Sequence, residues 1–535
     1  MQTAQTISLT LAEAIRRALE NNNEIEVTRT DVRFQNTQVT ALRGFYDPVF
    51  TASPNFSRSQ TTGSEATNDL RLNTDLTQFI RPGGGNYQVF FNNNRIENSF
   101  GQAQASSGSV SGAGTAIYDS SLGIAYNQPL FRNRSIDSTR RQITIARRRL
   151  EQTDVDFRNR ATAVITAVQQ AYWDLVFALR NQQNQLANVN LARENLRQVE
   201  ARINAGASAP LERAEVATEL AVREGDLLFA TQQVSIAENQ LKQLVLRDPL
   251  SAEWSQSFTP TDNPVVSPDP VSLDAALDDA MDNRFELRRL KIEREIVAND
   301  IKFFKNQTKP QVDLNTRFSL NGLSTSGDNS GFTTNLLTSS TDVFLLNSVN
   351  QTRAELNLPP IVNPLITFPP QPSFRFGGFN RSLANIFRSD APNFSIGLTI
   401  SFPFRNRTAK ANLEGARIQD ERLSALTRGQ EQTIIQDVRN SVQAVETTRQ
   451  RVATARRARE NAEIQLEGER KLYEAGRSTT FLLFQRENAL TNARNAEIRA
   501  ETDHNKALAD LQRATSTAFE INNIQIDEPV PDIRR

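Results

Sequence analysis

Side chains able to do chemistry are scarce in this sequence. Histidine occurs once, at His504, on a polar helical stretch where a solvent-facing ring is expected. One imidazole, in a chain without cysteine, builds neither a metal site nor a proton-relay triad. Gly83–Gly85 forms the only glycine run of note, but no lysine follows it, so it lacks the side chain that a phosphate-binding loop needs. Asp278, Asp279 and Asp282 cluster on a short helical pattern and are read as a solvated face rather than a cation site. These observations support no catalysis, no metal and no cofactor.

Composition narrows the class further. The 535 residues suffice for several ordinary domains. Sixty-one basic residues balance 61 acidic ones, so no broad polyanion-binding surface is expected and nucleic acid is not a partner. Only eight of the basic residues are lysines. No run of about 18 uncharged apolar residues exists, so no transmembrane helix can be drawn. Mean hydropathy is −0.49. A polar average leaves a β-barrel open, because barrel strands hide their lipid face in alternation. Without cysteine there are no disulfides and no cysteine-borne lipid anchor. Met1–Thr6 carries neither a charged nor an apolar leader segment. If the protein is exported, its signal peptide is expected to be absent from this chain.

The chain is a duplication. LTLAEAIRRALENNNEI at 9–25 matches VSLDAALDDAMDNRFEL at 271–287 with an offset of 262. The same offset carries Pro48 onto Pro310. Phe131–Arg134 reads FRNR, as does Phe404–Arg407, and Gly206 aligns with Gly476. Two repeats are therefore expected, at 7–250 and 271–516. A Pro-, Ser- and Asp-rich linker at 251–270 joins them, and a tail at 517–535 follows.

Each repeat has the same order of patterns. Helices come first (8–47 and 271–309), with Thr10 and Ser272 as N-caps. A switch to period two follows, over 49–131 and 311–404. Phe394, Ile396, Leu398, Ile400 and Phe402 alternate with Ser395, Gly397, Thr399 and Ser401. Leu122, Ile124 and Tyr126 alternate in the same way. One apolar and one polar face suit a strand between lipid and a wet lumen, and equally the edge of a sandwich with one solvated face. Pro48, Pro129, Pro310 and Pro403 mark the helix–strand junctions, where a fixed φ is useful. Long helices occupy 132–250 and 405–516. Residues 135–203 and 408–473 contain no proline. At 1.5 Å per residue each run reaches roughly 100 Å, too long to fold around a compact core. Val168, Leu175, Val189, Leu196 and Ile203 lie on a seven-residue lattice, with Tyr172, Leu179 and Leu186 four residues on. Turns at Gly206 and Gly476 then reverse the chain. Shorter helices return over about 211–247 and 479–516.

The ordered set LTLAEAIRRALENN, YNQPLFRNR (126–134), ISFPFRNRTAKANLEGA (400–416) and LYEAGRSTTFLLFQRENALTNAR (472–494) resembles the TolC-type outer-membrane efflux protein family, over about residues 7–516. The resemblance implies a mixed α and β fold, in which a transmembrane β-barrel and a long antiparallel α-helical barrel are completed by trimerisation. It implies a passive outer-membrane channel of a tripartite efflux or type I secretion system in a Gram-negative bacterium, with its tunnel in the periplasm. A periplasmic adaptor and an inner-membrane pump would dock at the tip formed by Gly206, Ser208, Tyr473, Gly476, Arg477 and Ser478. Some family members carry acidic residues just after this turn, forming a constriction. Here Leu482 and Gln485 hold those places. Glu212 and Glu215 are the equivalents in the first repeat, either a source of negative charge or ordinary surface glutamates.

Two departures stay open at this level. Alternating segments at about Leu70–Ile80 and Tyr87–Ile96 flank Pro82–Gly85, and a proline-rich stretch lies near 358–372. These segments, within 63–118 and 321–392, could be external loops, a plug or extra strands. The rival functional classes are a periplasmic coiled-coil adaptor and a structural coiled-coil protein. Neither accounts for apolar-faced strands in a duplicated chain.

Overall fold

A computed structural model describes residues 6–60, 62, 66–97, 116–206, 209–266, 269–326, 331–370 and 372–525. Parts of 63–118, Ser208 and the end of the tail thus lie outside the described residues. The chain divides into two compact units. The first comprises Met1–Thr40, Thr144–Asn299 and Ala416–Arg535; the second comprises Ala41–Ile143 and Asp300–Gly415. No described helix is long and apolar enough to cross a membrane.

The first unit is helical. The repeat pairs α1 (Leu11–Asn21) with α5 (Leu273–Asn283) and α2 (Asn23–Arg43) with α6 (Phe285–Gln307). It likewise pairs α3 (Ser138–Asn204) with α9 (Arg407–Glu474) and α4 (Pro210–Val245) with α10 (Thr480–Thr515). A four-residue helix, α11 (Ala518–Ile521), ends the described chain. Thr10 and Ser272 accept bonds from Glu13 N–H and Ala275 N–H, as N-caps do. β1 (Thr6–Leu9) pairs in parallel with β6 (Ser257–Pro260), which lies within the stretch between the repeats. Val168, Tyr172, Leu175 and Val189 of the expected stripe are fully buried, whereas Leu186 is exposed.

The short helices meet end to end, and the repeat shows how. Asn22, between α1 and α2, donates to the Leu244 carbonyl at 3.1 Å. Its counterpart Arg284, between α5 and α6, donates to the Ala514 carbonyl at 3.1 Å. Each buried polar side chain satisfies a last-turn carbonyl that its own helix leaves without a partner. Arg284 also pairs with Asp437 of α9, beside a core of Ala276, Ala280, Ile434, Val438 and Ala514.

The second unit is built on a six-stranded antiparallel sheet. Its strands are β2 (Val49–Ser59), β3 (Thr67–Phe79), β4 (Asn86–Glu97), β5 (Ala116–Pro129), β7 (Gln311–Thr325) and β10 (Pro392–Ser401). Their order is β10-β7-β5-β4-β3-β2. Between β7 and β10 the chain forms β8 (Phe332–Asn335), paired among the described residues with β9 (Leu365–Phe368) alone, and helices α7 (Ser340–Glu355) and α8 (Phe379–Ile386). Helix α8 lies on β5 and β7: Ser382 Oγ is 2.7 Å from Ser120 Oγ, and Asn385 donates to the Leu323 carbonyl. Gly322 permits this approach, since a Cβ there would stand 2.0 Å from the Ser382 carbonyl.

One sequence expectation is corrected here. His504 is not solvent-facing but 1% exposed, packed against α9 with Nδ1 3.2 Å from Thr448 Oγ1. Its Nε2 is buried without a hydrogen-bond partner among the described residues. The polar residues around it in sequence disguise a position on the α9-facing side of α10. Burial holds its pKa below the ordinary 6.5, opposed by a bond to the Val445 backbone, and the nearby Arg449 cation lowers it further. The folded state keeps the ring neutral, while the unfolded chain takes up a proton first. Stability should therefore fall as pH drops below about 6.5. Thermal unfolding across pH 5–8 should show this slope, and His504→Gln should flatten it.

Candidate functional site

Two surfaces could carry function, one in each unit. The first is the sheet. Its register gathers most apolar residues of the alternating pattern on one face. Ile400 opposes Val312, Leu398 opposes Leu314 and Phe394 opposes Phe318. Phe318 opposes Ile124 and Leu320 opposes Leu122. The row continues through Val89 and Phe91 to Leu76 and Phe50. Phe50, Phe394, Ile396, Leu398 and Ile400 are each more than 60% exposed, a band no compact soluble surface needs. The opposite face is polar: Asn127 bonds Asn315, and Asn315 bonds Thr399. Arg317 there lies 4.1 Å from the ring centre of Phe90. Apolar on one side and polar on the other, this is the surface of a membrane barrel strand set. Pro48 and Pro310 immediately precede β2 and β7, Pro129 ends β5, and Pro403 follows β10.

The second surface lies where the long helices turn. Gly206 and Gly476 have φ of +71° and +70°. Arg477 N–H bonds the Leu472 carbonyl and Gly476 N–H bonds the Tyr473 carbonyl, the two bonds of a Schellman helix end. A Cβ at either glycine would meet nothing within 4 Å, so the left-handed backbone, not space, calls for glycine. Arg202 stacks on Tyr473, and Ser478 donates to Glu469. Arg477 is exposed. Thr479 caps α10 by accepting the Leu482 N–H, and Pro210 occupies the first turn of α4.

Beyond the turns, α4 and α10 flank a groove of about 950 Å³ lined by Glu215, Glu219, Phe481, Phe484, Gln485 and Asn488, among others. The structure thus brings Glu215 and Gln485 together. Glu212 and Leu482 do not line the groove.

Sequence reasoning missed the charged pair beneath it. Arg223 and Glu487, each 2% exposed, meet at 3.1 Å. Arg223 also bonds Glu219 at 2.9 Å and lies over the Phe484 ring. Asn195 of α3 donates to Glu487. Three helices are thereby joined through one ion pair. The signal was available: Val216, Arg223, Ala230 and Ala237, all buried, fall on one seven-residue lattice. An arginine on such a stripe needs a partner.

An exposed apolar band on a paired sheet, together with long helical hairpins in one duplicated chain, defines an outer-membrane channel protomer. The sequence matches the outer membrane efflux protein family over residues 14–245 and 370–517. The chain belongs to that family, whose members conduct efflux rather than catalyse a reaction. No curated protein sequence matches it. Among solved structures it is similar to the CmeC outer membrane channel of Campylobacter jejuni, with 14% identity and a TM-score of 0.60, covering 97% of this chain and 90% of that one. It is also similar to the VceC outer membrane protein of Vibrio cholerae, with 14% identity and a TM-score of 0.57, covering 94% and 95%. The MtrE outer membrane channel of Neisseria gonorrhoeae, solved in its open state, gives 15% identity and a TM-score of 0.58, covering 94% and 88%. At these identities the likenesses establish the fold.

Losing one partner of a buried ion pair strands the other, at a cost of about 3–5 kcal/mol. Arg223→Met should therefore lower the thermal midpoint sharply, and Arg223→Met combined with Glu487→Met should recover most of the loss. Equal losses in the single and double variants would mean that the pair does not couple the helices.

Proposed function

We propose that three copies of this chain form the passive exit duct of a tripartite efflux or type I secretion assembly in the outer membrane of a Gram-negative bacterium. The exposed apolar band across the six-stranded sheet carries this reading. Its two outer strands have unpaired edges among the described residues, and unpaired backbone groups are costly in hydrocarbon. Further copies of the chain remove that cost. The helical segments would stand in the periplasm as the tunnel, with Pro48, Pro129, Pro310 and Pro403 marking where barrel passes to helix. The two repeats, 7–250 and 271–516, would act as equivalent wall segments.

The turns at Gly206, Ser208, Tyr473, Gly476, Arg477 and Ser478 would receive a periplasmic adaptor, which couples the duct to an inner-membrane pump. The segment just beyond, with Glu212, Glu215, Leu482 and Gln485, would form the constriction. Leu482 and Gln485 give the second repeat no acidic residue there, and Glu212 and Glu215 of the first would be its source of negative charge. Cargo would be selected by the pump, since neither surface carries a built small-molecule site with catalytic groups.

Placing a charge on the lipid side of a barrel strand costs about 2–4 kcal/mol near the midplane. Leu398→Arg should thus sharply reduce recovery of assembled protein from outer membranes, while Thr399→Arg on the polar face should not. Equal recovery of the two variants would mean that β10 does not face lipid. At the tip, cysteines introduced at Ser478 and bridged between copies should reduce export by the assembled system. Unchanged flux through fully bridged protein would remove the tip as the gate.

A further inference from the structure

We infer that the barrel of this protein has eighteen strands, six from each of three copies, closed where β2 of one copy pairs with β10 of the next. The inference rests on the trimeric channel proposed above and names the surface through which the copies join.

The duplication accounts for only four strands of the sheet. β2 and β5 correspond to β7 and β10, and a ring built from these alone would have twelve. β3 and β4 have no counterpart in the sheet, because the equivalent place in the second repeat holds β8, β9, α7 and α8. They are nevertheless full members of it. β3 pairs with β2 from Val49↔Thr77 to Ser59↔Thr67, and with β4 from Leu70↔Arg95 to Phe79↔Asn86. β3 keeps the two-faced pattern of its neighbours, and β4 keeps it over Tyr87, Val89 and Phe91. Leu70, Leu72 and Leu76 extend the apolar face, while Arg71, Asn73 and Asp75 extend the polar one. The turn that joins them is pinned rather than free. Gly84, at φ +70°, sits where a Cβ would stand 2.6 Å from the Asn133 carbonyl, and Gln128 donates to the Gly83 carbonyl at 2.9 Å. A plug or an external loop has no need of such a register.

The two outer strands fit one another. Every residue of β2 and of β10 is exposed, as expected of strands that each lack a neighbour. In an antiparallel sheet of six the first and last strands run in opposite directions. A head-to-tail ring of identical copies is therefore antiparallel at every seam, as a barrel requires. An odd count per copy would have made the seams parallel. β10 has no charged residue and β2 has only Arg58, near its end. Soluble proteins protect exposed edges with charges, lysine above all, and these edges lack that protection. Pro54, without an N–H, removes at most one bond from the seam. Because barrel diameter grows roughly in proportion to strand number, this barrel would be about 1.5 times as wide as a twelve-stranded one.

The sequence has no cysteine, so engineered pairs report cleanly. Ser53 is level with Ser121 across the sheet, through Asn73 and Asn92. If β3 and β4 stand between them, the two are three strand spacings apart, roughly 14 Å, beyond disulfide reach. The chain carrying Ser53→Cys and Ser121→Cys should remain uncross-linked under oxidation. Ser53→Cys combined in turn with Ser395→Cys, Gly397→Cys or Thr399→Cys should give linked dimers and trimers for at least one register. Single-particle imaging of the same protein in mild detergent should count eighteen strands. A three-fold particle with twelve strands, or efficient linkage of Ser53→Cys to Ser121→Cys within one chain, would overturn the inference and leave the channel standing. A particle without three-fold symmetry would overturn both.

Discussion

Register is the constraint on which the sheet unit depends. Side chains on a strand alternate with a period of two, so a slip of one residue would carry every apolar side chain to the wrong face. The pairings hold Leu398, Leu314, Phe318, Ile124, Val89, Leu76 and Phe50 on one side across all six strands. Two glycines serve the same end. Gly123 lets Phe90 and the Phe318 carbonyl approach closer than any Cβ would allow, and Gly84 fixes the β3–β4 turn. A face so continuous and so exposed has a physical use only where the surroundings are themselves apolar.

The helical unit solves a different problem. Its short helices are too short to flank the long ones alone, and each joint between them would leave last-turn carbonyls without partners. Asn22 and Arg284 occupy equivalent places in the two repeats and meet this need with different chemistry. The neutral amide donates to the Leu244 carbonyl and accepts the Glu24 N–H, whereas the guanidinium also reaches Asp437 and Glu286. The repeats have thus kept the function of the position while changing its residue. The second joint is thereby tied to α9 by charge.

Near the turns, polar contacts take over from apolar ones. A small core of Val199, Val216 and Phe484 gives way to the Arg223–Glu487 pair with Asn195 and Glu219 around it. Buried charge holds helices in one arrangement but tolerates little else, because any displacement leaves it unpaired. Placed beside an open groove, such a pair suits a region where helices hold a defined set of positions rather than a single oily core.

The sequence by itself determined the duplication, the order of elements, the two-faced strands and the positions of the turn glycines. Each of these rests on local rules: periods of 3.6 and 2, the fixed φ of proline and the positive φ open to glycine. It also offered no support for catalysis, with one histidine and no cysteine. Only the tertiary structure decided what depends on residues far apart in the chain. The segments around Pro82–Gly85 read equally as loop, plug or strand until their pairing partners were known, because strand identity is settled by neighbours and not by pattern. His504 looked like a surface residue because its neighbours in sequence are polar, and the sequence around Arg223 gives no sign of which residue it meets. Their burial comes from α9 in the one case and from α3 and α10 in the other, and no local period encodes which helix will lie across a given face.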